Sequence, residues 1–388
     1  MKNDKGKFIL FIITLFLSNV VMMHDYVLLP VINNIYEAFP NKQNIVNFIV
    51  SGPQLIGVIT ALLCGPLMKK ISKKMILVWS YAVFSVAGIL GVLIIDPTYM
   101  AVMRGIVGAS MGFVNVAAVT VLAEAFTDEN KRSKYLGFNN AALAGVGAAM
   151  SAIAGNLALH GWTEVFKVFW VAVPITAMLL FFIPRDKIGE SDVSSEDSNE
   201  KINLKKYIPF CLSLLLFVAV YMVIQYMISV YVAEHALGNE AYTGYCGALA
   251  TILSAVCAAL FGFTYSKLKR ASVIPSYIIY ALGYLALYFF PTPAIGLIVS
   301  ALLGGAFGNG FAYFFMDCTV LVPESKVGIS ISIVTAVQGF GMFIATYFAF
   351  FLEGLIKTDS VTDIFPILAG LSVVGIIYSV FAARRKEV

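Results

Sequence analysis

Residues Thr98–Leu122, TYMAVMRGIVGASMGFVNVAAVTVL, read as one membrane-crossing helix that carries a single full charge, Arg104. The stretch exceeds the ~20 residues that a helix needs to cross a bilayer. An arginine at hydrocarbon depth costs at least ~2.5 kcal/mol, so it demands a partner. One other apolar run places an acid at a matching depth: Asp25, in FIITLFLSNVVMMHDYVLLP, residues 11–30. Ionisable residues inside a membrane mark ion or proton pathways, so this pairing points to proton-coupled transport.

The rest of the chain has the same character. Of its 388 residues 60% are apolar and only 12% charged, against roughly 25% charged in soluble domains. The apolar residues form long blocks, not amphipathic periods, so lipid is the solvent. Twelve spans are expected, at 8–30, 45–67, 75–95, 98–122, 135–159, 165–183, 207–231, 242–265, 273–290, 294–318, 329–352 and 363–383. Basic residues set the orientation. With the N-terminus in the cytoplasm, 22 of the 26 lysines and arginines fall on that side, Lys42, Lys167 and Lys357 fall outside, and Arg104 is intramembrane. Both termini are therefore expected in the cytoplasm. The net charge of +4 reports topology, not nucleic-acid binding. The basic N-terminus and following apolar run resemble a secretory signal, but the run is long and ends in no small-x-small site, so it reads as a retained first span. Cys64, Cys211, Cys246, Cys257 and Cys318 are odd in number and lack paired spacing; neither disulfides nor a metal site is expected.

A polar, serine-rich segment, 184–206, divides the chain into an N-terminal six-helix bundle, 1–183, and a C-terminal one, 207–388. The halves echo each other. Gly65-x-x-x-Lys69-Lys70-x-x-Lys73 closes span 2, and Gly262-x-x-x-Ser266-Lys267-x-Lys269-Arg270 closes span 8, displaced by 197 residues. Arg132 precedes Gly145-x-Gly147 as Lys326 precedes Gly339-x-Gly341, by thirteen residues each. Parallel duplications of this kind belong to one large transporter architecture.

Three stretches carry a resemblance to the major facilitator superfamily, over essentially the whole chain. GPLMKKISKK, between spans 2 and 3, keeps Gly65, Lys73 and Lys74 of the family's loop motif, with Lys69, Lys70 and Ser72 in place of its Asp, Arg and Gly. Arg104-Gly-Ile-Val-Gly108 resembles the Arg-x-x-x-Gly of span 4. HGWTEVFKVFWVAVP resembles the Gly-Trp-x-x-x-Phe start of span 6 in the 12-span drug:proton antiporters, as Asp25 followed by Leu28-Leu29-Pro30 resembles their first-span acid. The chain departs from those exporters in span 5, NNAALAGVGAAMSAIAGNLA, which lacks their Gly-Pro pair. The resemblance implies an all-α integral membrane protein with twelve transmembrane helices in two six-helix pseudo-repeat bundles, working by alternating access.

Arg104, Gly108, Met111 and Asn115 share one face of span 4, and Ser18, Met22 and Asp25 one face of span 1. The expected mechanism has Asp25 take up a proton, release Arg104 and so couple proton flow to rocking of the halves. The alternative is a structural pair, with Asp96 or backbone carbonyls as other partners for Arg104. His24, about 100° round an ideal helix from Asp25, is either an aid to proton uptake or an interfacial residue. The second half has no basic residue inside its spans. Tyr221 and Gln225, Asn309 and Tyr313, and Gln338 offer amides and phenols in apolar surroundings, which suit an amphipathic organic substrate; Met22 and Asn115 complete the candidate binding set. Interhelical hydrogen bonds are the competing reading for each. At the cytoplasmic ends, Glu124 and Asp317 resemble the superfamily's gate acids, with Gly65, Lys69, Lys70, Lys73, Lys74 and Arg132 as the basic side; the 69–74 loop is expected to dock on Glu124 or Asp128.

The expected protein is a secondary transporter of the cell membrane, exporting small amphipathic compounds against protons, with proton-coupled uptake of a metabolite as the alternative. Its partners are substrate, protons and membrane lipid; no cofactor, nucleic acid or second subunit is expected. No Gly-x-x-x-x-Gly-Lys loop or His-Glu-x-x-His motif supports an enzyme or a primary pump. The Lys, Asn and Ile usage is that of an AT-rich bacterial genome.

Overall fold

The computed structural model describes residues 5–126, 128–184, 203–323 and 326–383, and every regular element among them is helical. Eleven helices are long and apolar enough to cross a membrane, and a bent pair, Gly6–Val21 with Asp25–Ala38, supplies a twelfth span. The chain divides into two compact units, Met1–Val193 and Ser194–Val388. Their boundary falls within the polar segment 184–206, of which 185–202 lies outside the described residues.

The first unit contains α1 (Lys5–Leu17), α2 (Asp25–Leu28), α3 (Ile32–Ala38), α4 (Gln43–Met68), α5 (Lys73–Ile89), α6 (Pro97–Glu124), α7 (Glu129–Ala158) and α8 (Ala172–Phe182). The second contains α9 (Leu204–Glu234), α10 (Glu240–Ala259), α11 (Phe261–Leu268), α12 (Ile274–Phe289), α13 (Pro293–Val320), α14 (Val327–Ile356) and α15 (Phe365–Ala383). Large apolar side chains such as Trp79, Phe181, Phe263, Leu282 and Phe381 stand exposed, as lipid-facing residues do when backbone polar groups are satisfied within helices.

In each unit one helix crossing brings backbone against backbone, and small residues make it possible. A Cβ on Gly108 of α6 would meet the backbone of Pro53 of α4 at 2.4 Å, and one on Gly112 would meet the carbonyl of Gly57 at 2.2 Å. In the second unit a Cβ on Gly304 of α13 would meet the backbone of Ala250 of α10 at 2.2 Å, and one on Gly308 would meet that of Ser254 at 2.0 Å. Pro53 and Gly57 map onto Ala250 and Ser254 at the displacement of 197 read from the sequence; Gly108 and Gly112 map onto Gly304 and Gly308 at 196. The helix starts match too. Asp96 caps α6 by accepting from the Tyr99 N–H, Thr292 caps α13 by accepting from that of Ile295, and a proline follows each cap.

Two expectations about helix continuity need correction. The first span is not one straight helix over 8–30: it bends by 52° between Val21 and Asp25. No Gly or Pro occupies 22–24. The His24 ring instead takes the Val21 carbonyl, with Nδ1 3.0 Å from it, and a side chain inserted into the helix ladder is a recognised cause of a kink. The eighth span, expected unbroken over 242–265, is interrupted at Leu260 between α10 and α11, and the following basic residues, expected as a loop, continue as a tight helical turn, Lys269–Val273.

Candidate functional site: a buried ion-pair cluster and its counterpart

Arg104 is 2% exposed, on the face of α6 that meets α4. Its Nη2 donates to Asp25 Oδ1 at 2.7 Å, and its Nε donates to the carbonyl of Ile49 at 2.8 Å. That carbonyl is four residues before Pro53, which has no N–H to return, so the proline frees the acceptor that the arginine takes. A longer contact, 3.4 Å, runs from Nη2 to the Val50 carbonyl. Asp25 Oδ2 accepts from Gln54 Nε2 at 2.5 Å. The carboxylate is thus held by charge-assisted donors from two helices. Asp96, the alternative partner, is spent on capping α6.

Sequence reading missed one member of this cluster, Gln54, and placed another, His24, off the face of the acid. Gln54 is a neutral polar residue directly after a proline in an apolar span, a signal that was legible. His24 is fully buried, and its Nε2 lies 2.9 Å from Asp25 Oδ1. The bend defeats the ideal-helix spacing that placed its ring away from the acid. Met22 and Asn115 are both half-buried, while Met111 is buried. Asn19 Nδ2 on the other side of the bend donates to Asn139 Oδ1 of α7 at 3.0 Å, which ties the broken span to its neighbour.

The second unit holds a neutral counterpart. Asp25 maps onto Met222, Ile49 and Val50 onto Cys246 and Gly247, and Arg104 onto Ser300. Without a proline at 250, no carbonyl needs an arginine. A small pocket lies there, lined by Tyr221, Ile224, Gln225, Ile228, Cys246, Gly247, Ser300 and Leu303. Gln225 is 8% exposed; its Oε1 accepts from the Tyr221 hydroxyl at 3.2 Å, and its Nε2 has no partner among the described residues. Tyr221 also stacks on Phe307, with centroids 4.3 Å apart. The other candidates are engaged within the unit: Asn309 donates to the Ser272 carbonyl and to Ser276 Oγ, and Tyr313 to Asp317 Oδ2. Gln338 is half-buried on α14.

The lysine-rich end of the first unit carries the expected docking contact. Lys73 Nζ, buried, lies 2.8 Å from Glu124 Oε2, while Lys69 and Lys70 stand exposed, Lys74 is half-buried, and Gly65 borders open space. In the second unit Arg270, at the position of Lys73 plus 197, pairs with Asp317 at 3.4 Å beside a small pocket. The Arg132 side chain lies outside the described residues.

No curated protein matches the chain by sequence. Among solved structures, the nucleoside transporter NupG superposes with a TM-score of 0.79 at 12% identity, covering 97% of this chain and 100% of its own. A bacterial homolog of the human lysosomal transporter Spinster gives 0.74 at 13%, covering 98% and 94%. The D-xylose–proton symporter gives 0.74 at 13%, covering 98% and 99%. These likenesses establish the fold. The family model for the Major Facilitator Superfamily matches residues 14–346. With its two matched helix crossings and its all-helical multi-span architecture, the chain belongs to the Major Facilitator Superfamily, and is a transporter, not an enzyme.

Proposed function

We propose that this transporter is a proton-coupled exporter of small amphipathic organic compounds, set in the cell membrane with both termini in the cytoplasm. The observation that carries the reading is the buried Asp25–Arg104 pair, 2.7 Å long, placed beside a bend in the first span. An ion pair withdrawn from water stays intact only while its charges balance. A proton arriving at the cluster upsets that balance, loosens Arg104 from Asp25 and frees the bent span to move. In the second unit Tyr221 and Gln225 offer the substrate an aromatic face and an amide donor. Asn309 and Tyr313 hold that wall in place, and the Lys73–Glu124 and Arg270–Asp317 pairs act as cytoplasmic latches.

Everted membrane vesicles with an acidified interior test this. A panel of lipophilic cations, ethidium first, and neutral aromatic drugs is added while a pH-quenched dye is followed. Recovery of fluorescence that requires the wild-type protein and vanishes in Asp25→Asn is expected. Undiminished proton release in Asp25→Asn would remove the pair from coupling; silence across the panel would turn the search to proton-coupled uptake of metabolites in intact cells.

A further inference from the structure

We propose that His24, not Asp25, is the residue that receives the coupled proton, and that it acts by competing with Arg104 for one carboxylate oxygen. This rests on the proton-coupled reading above and assigns its first step to a residue that reading leaves idle.

The chemistry follows from the two ring nitrogens. His24 Nδ1 lies 3.0 Å from the Val21 carbonyl. A carbonyl only accepts, so Nδ1 carries the hydrogen in either charge state of the ring. One site is left for an arriving proton: Nε2. That atom is buried, has no aligned hydrogen-bond partner, and sits 2.9 Å from Asp25 Oδ1. A neutral ring would turn a lone pair toward a carboxylate there, which is repulsive; a protonated ring would turn a cation toward it, which is favourable. The aspartate is a poorer receiver. Its Oδ1 already accepts from Arg104 and its Oδ2 from Gln54, so both oxygens are taken up by donors.

The coupling is built into the shared atom. Arg104 Nη2 and His24 Nε2 both address Asp25 Oδ1, at 2.7 and 2.9 Å. When a proton binds Nε2, a second cation enters a site balanced for one. The new N–H takes Oδ1, and the imidazolium repels the guanidinium. Arg104 keeps its Ile49 carbonyl and gives up the carboxylate. When the proton leaves from Nε2, the arginine returns. Because His24 also stops the helix ladder at Val21, this exchange occurs at the bend of the first span itself.

Few other charges face the ring. From α6 there is Arg104. The α4 segment that reaches it contributes the neutral Gln54, and α7 beyond residue 137 and α8 carry no charged residue. Glu164 and Lys167, on the turn before α8, pair with each other.

The test reads the ring directly. Protein labelled with nitrogen-15 histidine, in a His160→Gln/His235→Gln background, has His24 as its only imidazole and is followed by NMR in lipid nanodiscs from pH ~5 to ~8. The expected spectrum shows the Nδ1–H form at high pH and uptake of one proton on Nε2 within that window. A ring that stays neutral throughout overturns the proposal. In reconstituted vesicles with ethidium as probe, His24→Gln keeps a donor for the Val21 carbonyl; it is expected to lose the pH dependence of exchange while still binding ethidium. An unaltered wild-type pH profile in His24→Gln, with exchange abolished in Asp25→Asn, overturns this inference alone. Exchange that survives in Asp25→Asn overturns the proton-coupled reading beneath it.

Discussion

The α4–α6 crossing of the first unit and the α10–α13 crossing of the second are built alike and equipped differently. Both rest on two small residues facing two close backbone approaches, and both helices α6 and α13 begin with a capped proline. In the first crossing, however, a proline opens a carbonyl, an arginine fills it, and an acid, an amide and an imidazole gather round the arginine. In the second, alanine and serine stand at the corresponding places, and a pocket remains whose Gln225 Nε2 has no partner among the described residues. The two copies share the scaffold, and the buried cluster of arginine, acid, amide and imidazole belongs to the first. Gate and substrate roles are therefore expected to separate along the chain, protons in the first unit and organic ligand in the second.

The sharpest way to break the comparison is to remove the charge from one side only. Arg104→Met takes the guanidinium away from the Asp25 carboxylate, and uncompensated buried charges cost ~3–5 kcal/mol. A large fall in the apparent unfolding midpoint in detergent is expected. Asp25→Asn combined with Arg104→Met makes the first crossing neutral like the second and should recover most of that loss while leaving proton coupling dead. An unchanged midpoint in Arg104→Met alone would mean that the pair holds nothing together.

Swapping the prolines tests why arginine and proline occur together. Ala250→Pro opens the Cys246 carbonyl where Ser300 stands at the position of the arginine, and a proline in a helix interior costs ~3 kcal/mol when its lost bond finds no substitute. Pro53→Ala restores an N–H that competes with Arg104 for the Ile49 carbonyl, so the net change is expected within ~1 kcal/mol. Equal costs for the two variants would contradict the idea that Arg104 answers to Pro53. The glycines should behave symmetrically instead. Gly108→Val and Gly304→Val each force helix backbones apart, at ~1–3 kcal/mol, and a cost in one unit only would show that the crossings are not equivalent.

How much of this was legible beforehand follows from the same contrast. A charged residue in an apolar run is visible without any structure, because hydrocarbon makes it expensive; Asp25 and Arg104 were found on that ground and do meet. The repeat was visible because the loop after span 2 and the stretch after span 8 keep their spacing, and the displacement of 197 then located Arg270, Ala250 and Ser254. His24 was misjudged because helical-face arguments assume a continuous helix, and its own ring is what breaks the helix. For Asn309 and Tyr313 the sequence leaves ligand binding and interhelical hydrogen bonding open; Ser272 and Ser276 are ordinary in sequence, and Asp317 stands out as a gate acid, not as a partner of Tyr313. The local pattern gives periodicity and cost, but not which neighbour satisfies a polar group.

The smallest effects lie at the lysine-rich ends, where the two ion pairs differ in exposure. Glu124 has 44% of its side chain exposed opposite a buried Lys73, whereas Arg270 and Asp317 are 13% and 11% exposed. Removing the cation therefore leaves different residues behind. After Lys73→Met, Glu124 returns to water, so the loss should stay below ~1 kcal/mol and shrink further in high salt. After Arg270→Met, Asp317 stays largely buried with the Tyr313 hydroxyl as its remaining donor, and an undersatisfied buried charge costs more than ~1 kcal/mol. Unfolding midpoints for the two variants at low and high salt decide this: a salt-sensitive, near-silent Lys73→Met beside a salt-insensitive, destabilised Arg270→Met is expected. The reverse order would place the stronger latch in the first unit, on the same side as the proton site, and would undo the division of labour between the two halves.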